Sequence, residues 1–285
     1  MSRTGAEAFD KAVELLTEAG VELIESRPVT DPSKIHEEVR RAVDEAPMVI
    51  IGGGDGTLSS SIDFFKGHDT VFGLLPLGTA NSFARALGIP LDLEGAVDVI
   101  ANGQRRQIDL GCINGDYFGN SAAIGLSPMI AKAAPHGLKK HLGRLGYAMS
   151  AMKVGLGFRP FRVTISDGRT VANLWATEVR IANGGFFGGV ELVEEAELDS
   201  GEIIVQVVTG KTSRSLLKNW VSNMLKLKDR DAWQAEIRAR RILLETDPVM
   251  DVTIDGELAT KTPLEVTVAP KAVTIAVPRT KKAAA

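Results

Sequence analysis

In Pro47-Met48-Val49-Ile50-Ile51-Gly52-Gly53-Gly54-Asp55-Gly56-Thr57 a wholly apolar run empties directly into four glycines. An apolar run without polar alternation is the pattern of a strand covered on both faces by helices, as in a parallel α/β sheet. Glycines between such a strand and a helix open backbone conformations closed to other residues and let phosphate oxygens reach bare amides. The helix start adds amide donors and a favourable dipole. The spacing therefore predicts a phosphate loop over Gly52–Thr57 and a helix over Leu58–Lys66. A ligand-free turn is the competing account, but it leaves Asp55 without a turn-forming duty. A carboxylate beside bound phosphates calls for a cation, so Asp55 points to a magnesium ion or its water shell. Two familiar phosphate loops do not fit. G-x-G-x-x-G would begin at Gly52 and meets Thr57 in place of its last glycine, and a Walker-type loop ending at Gly210-Lys211-Thr212 meets Val205 in place of its first.

Outward from the loop, strand and helix alternate. Val71–Leu75 repeats the buried-strand pattern and ends in a second polar turn, Pro76–Asn81, before a helix bearing Phe83, Ala84 and Leu87. Ligands of open α/β sheets collect at such strand ends, so Thr79 and Asn81 are nucleotide candidates; helix capping by the same side chains is the rival account. Upstream, helical spacing covers Ala6–Ala19, Val21–Ser26 reads as a short strand, and Thr30-Asp31 precede a helix over Ile35–Glu45. A parallel α/β sheet is expected for roughly the first 110 residues. After Asp109 the texture changes. Tyr117–Ala123, Phe161–Ser166, Glu178–Ala182, Ile203–Val208, Arg241–Glu245, Val252–Ile254 and Leu264–Val268 read as strands, with Ile275–Val277 a last one, and turns such as Asp167-Gly168 separate several of them. An antiparallel sandwich is expected there, interrupted by helical insertions at Lys139–Leu156 and Ser213–Leu225 and ending in a disordered Lys281–Ala285 tail. Asp255-Gly256-Glu257 reads, from spacing alone, as a hairpin turn.

Composition narrows the function. The 285 residues suit two domains in close contact, and a net charge of −3 with a pI near 5.9 argues against general nucleic-acid binding. The single cysteine, Cys112, has no disulfide or metal partner in the sequence and reads as a small buried side chain. No apolar run approaches the roughly 20 residues of a spanning helix, so a cytoplasmic protein with peripheral membrane contact is expected. Lys132, Lys139, Lys140, Arg144 and Lys153, interleaved with Met149, Met152 and Leu156, would suit anionic headgroups, a solvated helix face being the competing account. Arg238, Arg240 and Arg241 form a second basic cluster with no assigned role.

Gly53-Gly54-Asp55-Gly56-Thr57 followed by Pro76-Leu77-Gly78-Thr79-Ala80-Asn81-Ser82-Phe83-Ala84-Arg85 resembles the two signature segments of the diacylglycerol kinase catalytic family, which includes bacterial lipid kinases, sphingosine kinases and ceramide kinases. The resemblance continues through Ile108-Asp109-Leu110-Gly111, Tyr117-Phe118-Gly119-Asn120, Lys140 with Leu142–Tyr147, Asn183-Gly184 with Gly188-Gly189, and Ile254-Asp255-Gly256-Glu257. It implies an α/β ATP-binding domain over residues 1–110, completed by 270–285, and a β-sandwich lipid-substrate domain over 111–269. It also implies magnesium-dependent transfer of the γ-phosphoryl group of ATP to a lipid hydroxyl. The ATP site would be lined by Gly54, Asp55, Gly56, Thr57, Leu58, Ser59, Ser60, Thr79 and Thr30, to which the glycine run adds Gly52 and Gly53 and the second turn Asn81. Glu257 aligns with the general base, and Asp255 stands beside it as a support for the base or a neighbour of magnesium. Diacylglycerol is the expected acceptor, with sphingoid bases, ceramides, phosphatidylglycerol and polyprenols open; oligomeric state carries no signal. An NAD kinase shares the Gly-Gly-Asp-Gly loop but continues with Asn-x-Gly-x-Leu-Gly, which Pro76–Ala84 does not match. A catalytically silent nucleotide or lipid sensor is the third reading. Its motives are departures from the family pattern: an opening at Ser2-Arg3-Thr4-Gly5 where a first strand is usual, Ser82 for an aspartate, and Ser59–Ser61 for Asn-Glu. A structural magnesium of bacterial members uses an aspartate where Ser200 stands here, leaving Asp199, one place earlier, as its nearest candidate.

Overall fold

Apolar spacing accounts for the first two helices: α1 (Arg3–Glu18) buries Ala12 and Leu16, and α2 (Ile35–Glu45) buries Val39 and Val43, each pair one turn apart on the face turned to the core. There follow β1 (Met48–Gly53), α3 (Asp55–Ile62), β2 (Val71–Pro76), α4 (Ser82–Ala86) and α5 (Leu93–Asn102), the last capped by Asp92, whose carboxylate accepts the Gly95 N–H at 2.8 Å. Strands then take over: β3 (Gln104–Ile113), β4 (Asp116–Phe118), β5 (Ser121–Gly125), β6 (Phe161–Ser166), β7 (Val171–Ala176), β8 (Glu178–Ala182), β9 (Phe186–Phe187), β10 (Val190–Glu191), β11 (Ile203–Val208), β12 (Trp233–Ala239), β13 (Arg241–Asp247), β14 (Asp251–Ile254), β15 (Glu257–Lys261) and β16 (Leu264–Val277). This computed structural model describes residues 3–126, 128–129, 158–187, 190–191, 193, 196–209 and 233–279. The expected helical insertions, the basic Lys132–Lys153 segment and the tail lie outside them.

Two sheets carry the molecule. In one, β1 and β2 pair in parallel, β2 and β16 pair in parallel, and the order continues β13-β6-β7 antiparallel, with β3 pairing β16 and β4 pairing β3. The other is wholly antiparallel, in the order β12-β11-β8-β5-β14-β15. A helical α/β half followed by an antiparallel half is the architecture the sequence implied, but the first sheet is mixed rather than parallel, because β3 and β13 both run antiparallel to β16. Two cores match the halves. One gathers α1 to α5, β1 and β2 with Ile108, Leu110, Leu198 and Val273–Val277, and the other lies between the two sheets around Phe118, Phe161, Val205 and Val266. The β3–β16 ribbon runs through both: its register breaks between Ala269 and Val273, where Lys271 adopts φ +52°.

Several elements differ from expectation. Val21–Ser26 is not a strand. β1 pairs only with β2 among the described residues, so this stretch has no ladder to join; Val21 and Leu23 pack on the core while Ile24 stays 76% exposed. Tyr117–Ala123 is two strands in different sheets, the chain crossing between them at Gly119-Asn120. Leu264–Val268 and Ile275–Val277 are ends of the single strand β16, which the irregularity near Lys271 disguised. Strands β3, β7, β9, β10, β12 and β15 and helix α5 carry no reading in the sequence. Cys112 is buried. Among the described residues no helix is long and apolar enough to cross a membrane.

Candidate active site

β1 and β2 run side by side in parallel and end together, Gly52 opposite Leu75 and Gly53 opposite Pro76, so the two polar turns meet at the carboxyl ends of adjacent strands. Gly54, in extended conformation at φ −91° and ψ 179°, caps α3, which starts at Asp55 rather than Leu58 and ends at Ile62 in a 3₁₀ turn over Asp63–Phe65. The first helical amide to find a partner inside the helix is Leu58 N–H, on the Gly54 carbonyl at 3.1 Å; those of Asp55, Gly56 and Thr57 precede it and point out of the helix end as donors. The second turn presses against this one. A Cβ on Gly78 would stand 2.5 Å from the Gly54 Cα, so no larger residue fits there. Asp55 also has a structural partner, because its Oδ1 accepts the Phe83 N–H at 3.2 Å and ties α3 to α4.

The Asp255-Gly256 turn joins β14 to β15 as a two-residue hairpin, Ile254 opposite Glu257, with φ of +46° and +90° at its two positions. Asp-Gly suits that paired left-handed geometry. The hairpin reading is therefore right, and the tip also carries chemistry. Asp255 Oδ2 accepts the Ser59 hydroxyl from α3 at 2.7 Å, its Oδ1 accepts the Ser121 N–H from β5 at 2.8 Å, and its own N–H donates to the Ser121 carbonyl at 2.8 Å. One carboxylate thus links the glycine-loop helix to the antiparallel sheet. Glu257 is exposed, and its Oε1 lies over Gly56, 2.5 Å from where a Cβ there would be.

Burial pushes the Asp255 carboxyl up to about 6; the Ser121 and Gly119 amides and the Ser59 hydroxyl oppose that rise, and the charge of Asp55 adds to it. Asp63 is also pushed up to about 6, by burial first and then by Asp116 and Asp255, against the Tyr117 amide and Lys66. Its Oδ1 is buried with no hydrogen-bond partner among the described residues. Asp63 was missed in the sequence. The available signal was the four-residue spacing Asp55, Ser59, Asp63, which stacks all three on one helix face.

The structure brings together Gly52, Gly53, Gly54, Asp55, Gly56, Thr57, Ser59, Asp255 and Glu257, with Ser60 one turn along α3 and Thr79 exposed on the facing turn. Three residues have other work. Leu58 is fully buried in the core, with its amide engaged in the helix. Asn81, buried at φ +47°, accepts the Gly78 N–H and donates to the Pro76 and Gly78 carbonyls, closing its own turn rather than facing a ligand or capping α4. Thr30 is exposed and lines a separate cavity of about 310 Å³ with Arg27, Asp31, Lys34 and Glu38. No group of three or more His, Cys, Asp or Glu able to hold a metal occurs among the described residues. A magnesium ion at the loop would accordingly rest on phosphate oxygens and water with Asp55 alongside, a donor set that ion accepts.

Residues 2–113 match the diacylglycerol kinase catalytic domain, and residues 120–277 match the YegS C-terminal NAD kinase beta sandwich-like domain. The chain is 28% identical over 265 residues to the diacylglycerol kinase of Bacillus subtilis (strain 168), covering 89% of this chain and 86% of that one. It is 30% identical over 239 residues to a candidate lipid kinase of Staphylococcus aureus (strain JH9), covering 80% and 76%. In fold it resembles the crystal structure of a diacylglycerol kinase from Bacillus anthracis (strain Sterne), with a TM-score of 0.77 at 23% identity over 95% of this chain and 91% of that one.

Proposed function

The chain belongs to the diacylglycerol kinase catalytic-domain family and is on that ground a lipid kinase, and from this premise we propose that it transfers the γ-phosphoryl group of magnesium-bound ATP to the hydroxyl of diacylglycerol, giving phosphatidic acid. The observation that carries the proposal is the position of Glu257 Oε1 over Gly56. An exposed carboxylate of one half of the molecule lies beside the start of the loop helix in the other, as an acceptor base next to a phosphate cradle would.

In this reading the amides of Asp55, Gly56 and Thr57 hold phosphate oxygens, and Gly78 lets the second turn close over them. Magnesium, when bound, neutralises charge on the phosphoryl oxygens. Glu257 takes the proton of the acceptor hydroxyl as its oxygen bonds to phosphorus and the bond to the β-phosphate oxygen breaks. Asp255 is a positioning residue: with Ser59, Ser121 and Gly119 donating to it, its oxygens are engaged. It fixes the hairpin that carries Glu257. Residues 1–110 with 270–285 form the nucleotide-binding part and 111–269 the lipid-binding part, the lipid being met at the cytoplasmic face of the membrane.

The test is transfer of labelled γ-phosphate from ATP, with magnesium, to lipids in mixed micelles and separately to NAD, comparing the parent with Asp55→Ala and Glu257→Gln. Labelled phosphatidic acid that disappears in both variants is expected. Label on NAD, or ATP binding without transfer to any acceptor, would overturn the proposal in favour of a dinucleotide kinase or a silent sensor.

A further inference from the structure

Asp199 is the position at which the sequence invited a structural metal, and its carboxylate is already taken. Arg106 on β3 meets it with both arms of its fork, Nε to Oδ2 at 3.0 Å and Nη2 to Oδ1 at 2.5 Å. Paired contacts of this kind fix orientation as well as charge. The surrounding turn is held by the same strand. The Asp109 N–H donates to the Leu198 carbonyl at 2.6 Å, and the Gly201 N–H donates to Asp109 Oδ2 at 2.6 Å. Between these anchors Leu198 enters the core of the helical half, 3% exposed.

A divalent cation needs about six oxygen ligands, several of them carboxylate or carbonyl. Among the described residues this turn does not offer them. Ser200, standing where the family has an aspartate, is bonded through its hydroxyl to the Glu202 backbone, accepting its N–H at 3.3 Å and facing its carbonyl at 3.2 Å. Asp199 faces a guanidinium, which would repel an incoming cation. We propose that Arg106 replaces the divalent ion at this turn, so that the seat of Leu198 in the core is closed by an internal cation and needs no metal. The closure of this turn is then indifferent to metal supply.

The measurement is the melting temperature of the nucleotide-free, full-length protein in EDTA, in magnesium chloride and in calcium chloride at matched ionic strength, for the parent, Arg106→Ala, Arg106→Lys and Asp199→Asn. The parent is expected to melt within about 1 °C in all three, since an unbound ion adds no stability by mass action. Arg106→Ala should melt about 2 °C lower, the upper end for an ion pair this exposed in a chain of this size, and Arg106→Lys should recover part of it. If Arg106→Ala does not fold, Asp199→Asn carries the same comparison. A rise with metal that persists in Asp199→Asn reports another site and leaves the proposal standing. A rise in the parent that Asp199→Asn abolishes, or an Arg106→Ala protein that melts like the parent, overturns it.

Discussion

Replacing Asp255 by asparagine should stabilise the protein, and increasingly so as pH rises. The carboxyl is pushed from the ordinary 3.8 to about 6 by burial. Each pH unit between those values is worth about 1.4 kcal/mol, so holding the ionised form in place costs the fold about 3 kcal/mol at neutral pH. The sign follows from the raised value: the contribution to stability is fully present below the unfolded value near 3.8 and is lost as pH rises through about 6. Asparagine keeps one oxygen to accept the Ser121 and Gly119 amides, and its own amide can face the Ser59 hydroxyl, which turns to accept, so the geometry persists without the charge. Urea unfolding of parent and Asp255→Asn from pH 4.5 to pH 8 should show the variant gaining on the parent by about 2 kcal/mol across that range. Phosphoryl transfer should be largely kept in the same variant, because the bonds that hold the hairpin carrying Glu257 persist. A stability difference that does not change with pH would refute the reasoning, because it would mean that Asp255 ionises in the fold as it does in the unfolded chain.

Glu257→Gln should lower transfer by roughly 10²–10⁴-fold without moving the melting temperature, since the side chain is exposed; steady-state kinetics beside a thermal melt check both halves. Gly56→Ala places a Cβ 2.5 Å from Glu257 Oε1, so a loss of transfer of about 100-fold is expected from displacement of the carboxylate, with ATP affinity largely kept. Asn81→Ala removes the bonds to Gly78 and Pro76 and puts alanine at φ +47°. A stability loss of about 2–4 kcal/mol by denaturant unfolding should result.

The phosphate loop was legible because its signal is local: an apolar run, then glycines, in eleven consecutive residues from Pro47 to Thr57. The Asp255 hairpin was legible only as a turn, since its other meaning depends on Ser59, 196 positions away, and no periodicity spans that distance. Asn81 misled for the opposite reason. A polar residue beside a glycine loop reads as a ligand, and the left-handed backbone that turns its amide inward leaves no mark in the sequence. Val21–Ser26 has strand composition, but a strand is a pairing, and composition does not supply the partner. The β16 strand was split by the irregularity at Lys271, where the bulge interrupts the alternation that strands are read from.

The placement of β16 sets the order in which the glycine loop and its support are completed. It lies between β2 and β3 and contributes Val273, Ile275, Ala276 and Val277 to the core that supports the glycine loop. Domains usually fold from the amino end as they leave the ribosome. Here the glycine loop between β1 and α3 is made well before β16, the strand that closes the sheet beneath it. A nascent chain therefore carries the whole phosphate loop without a finished foundation until β16 has been made and paired.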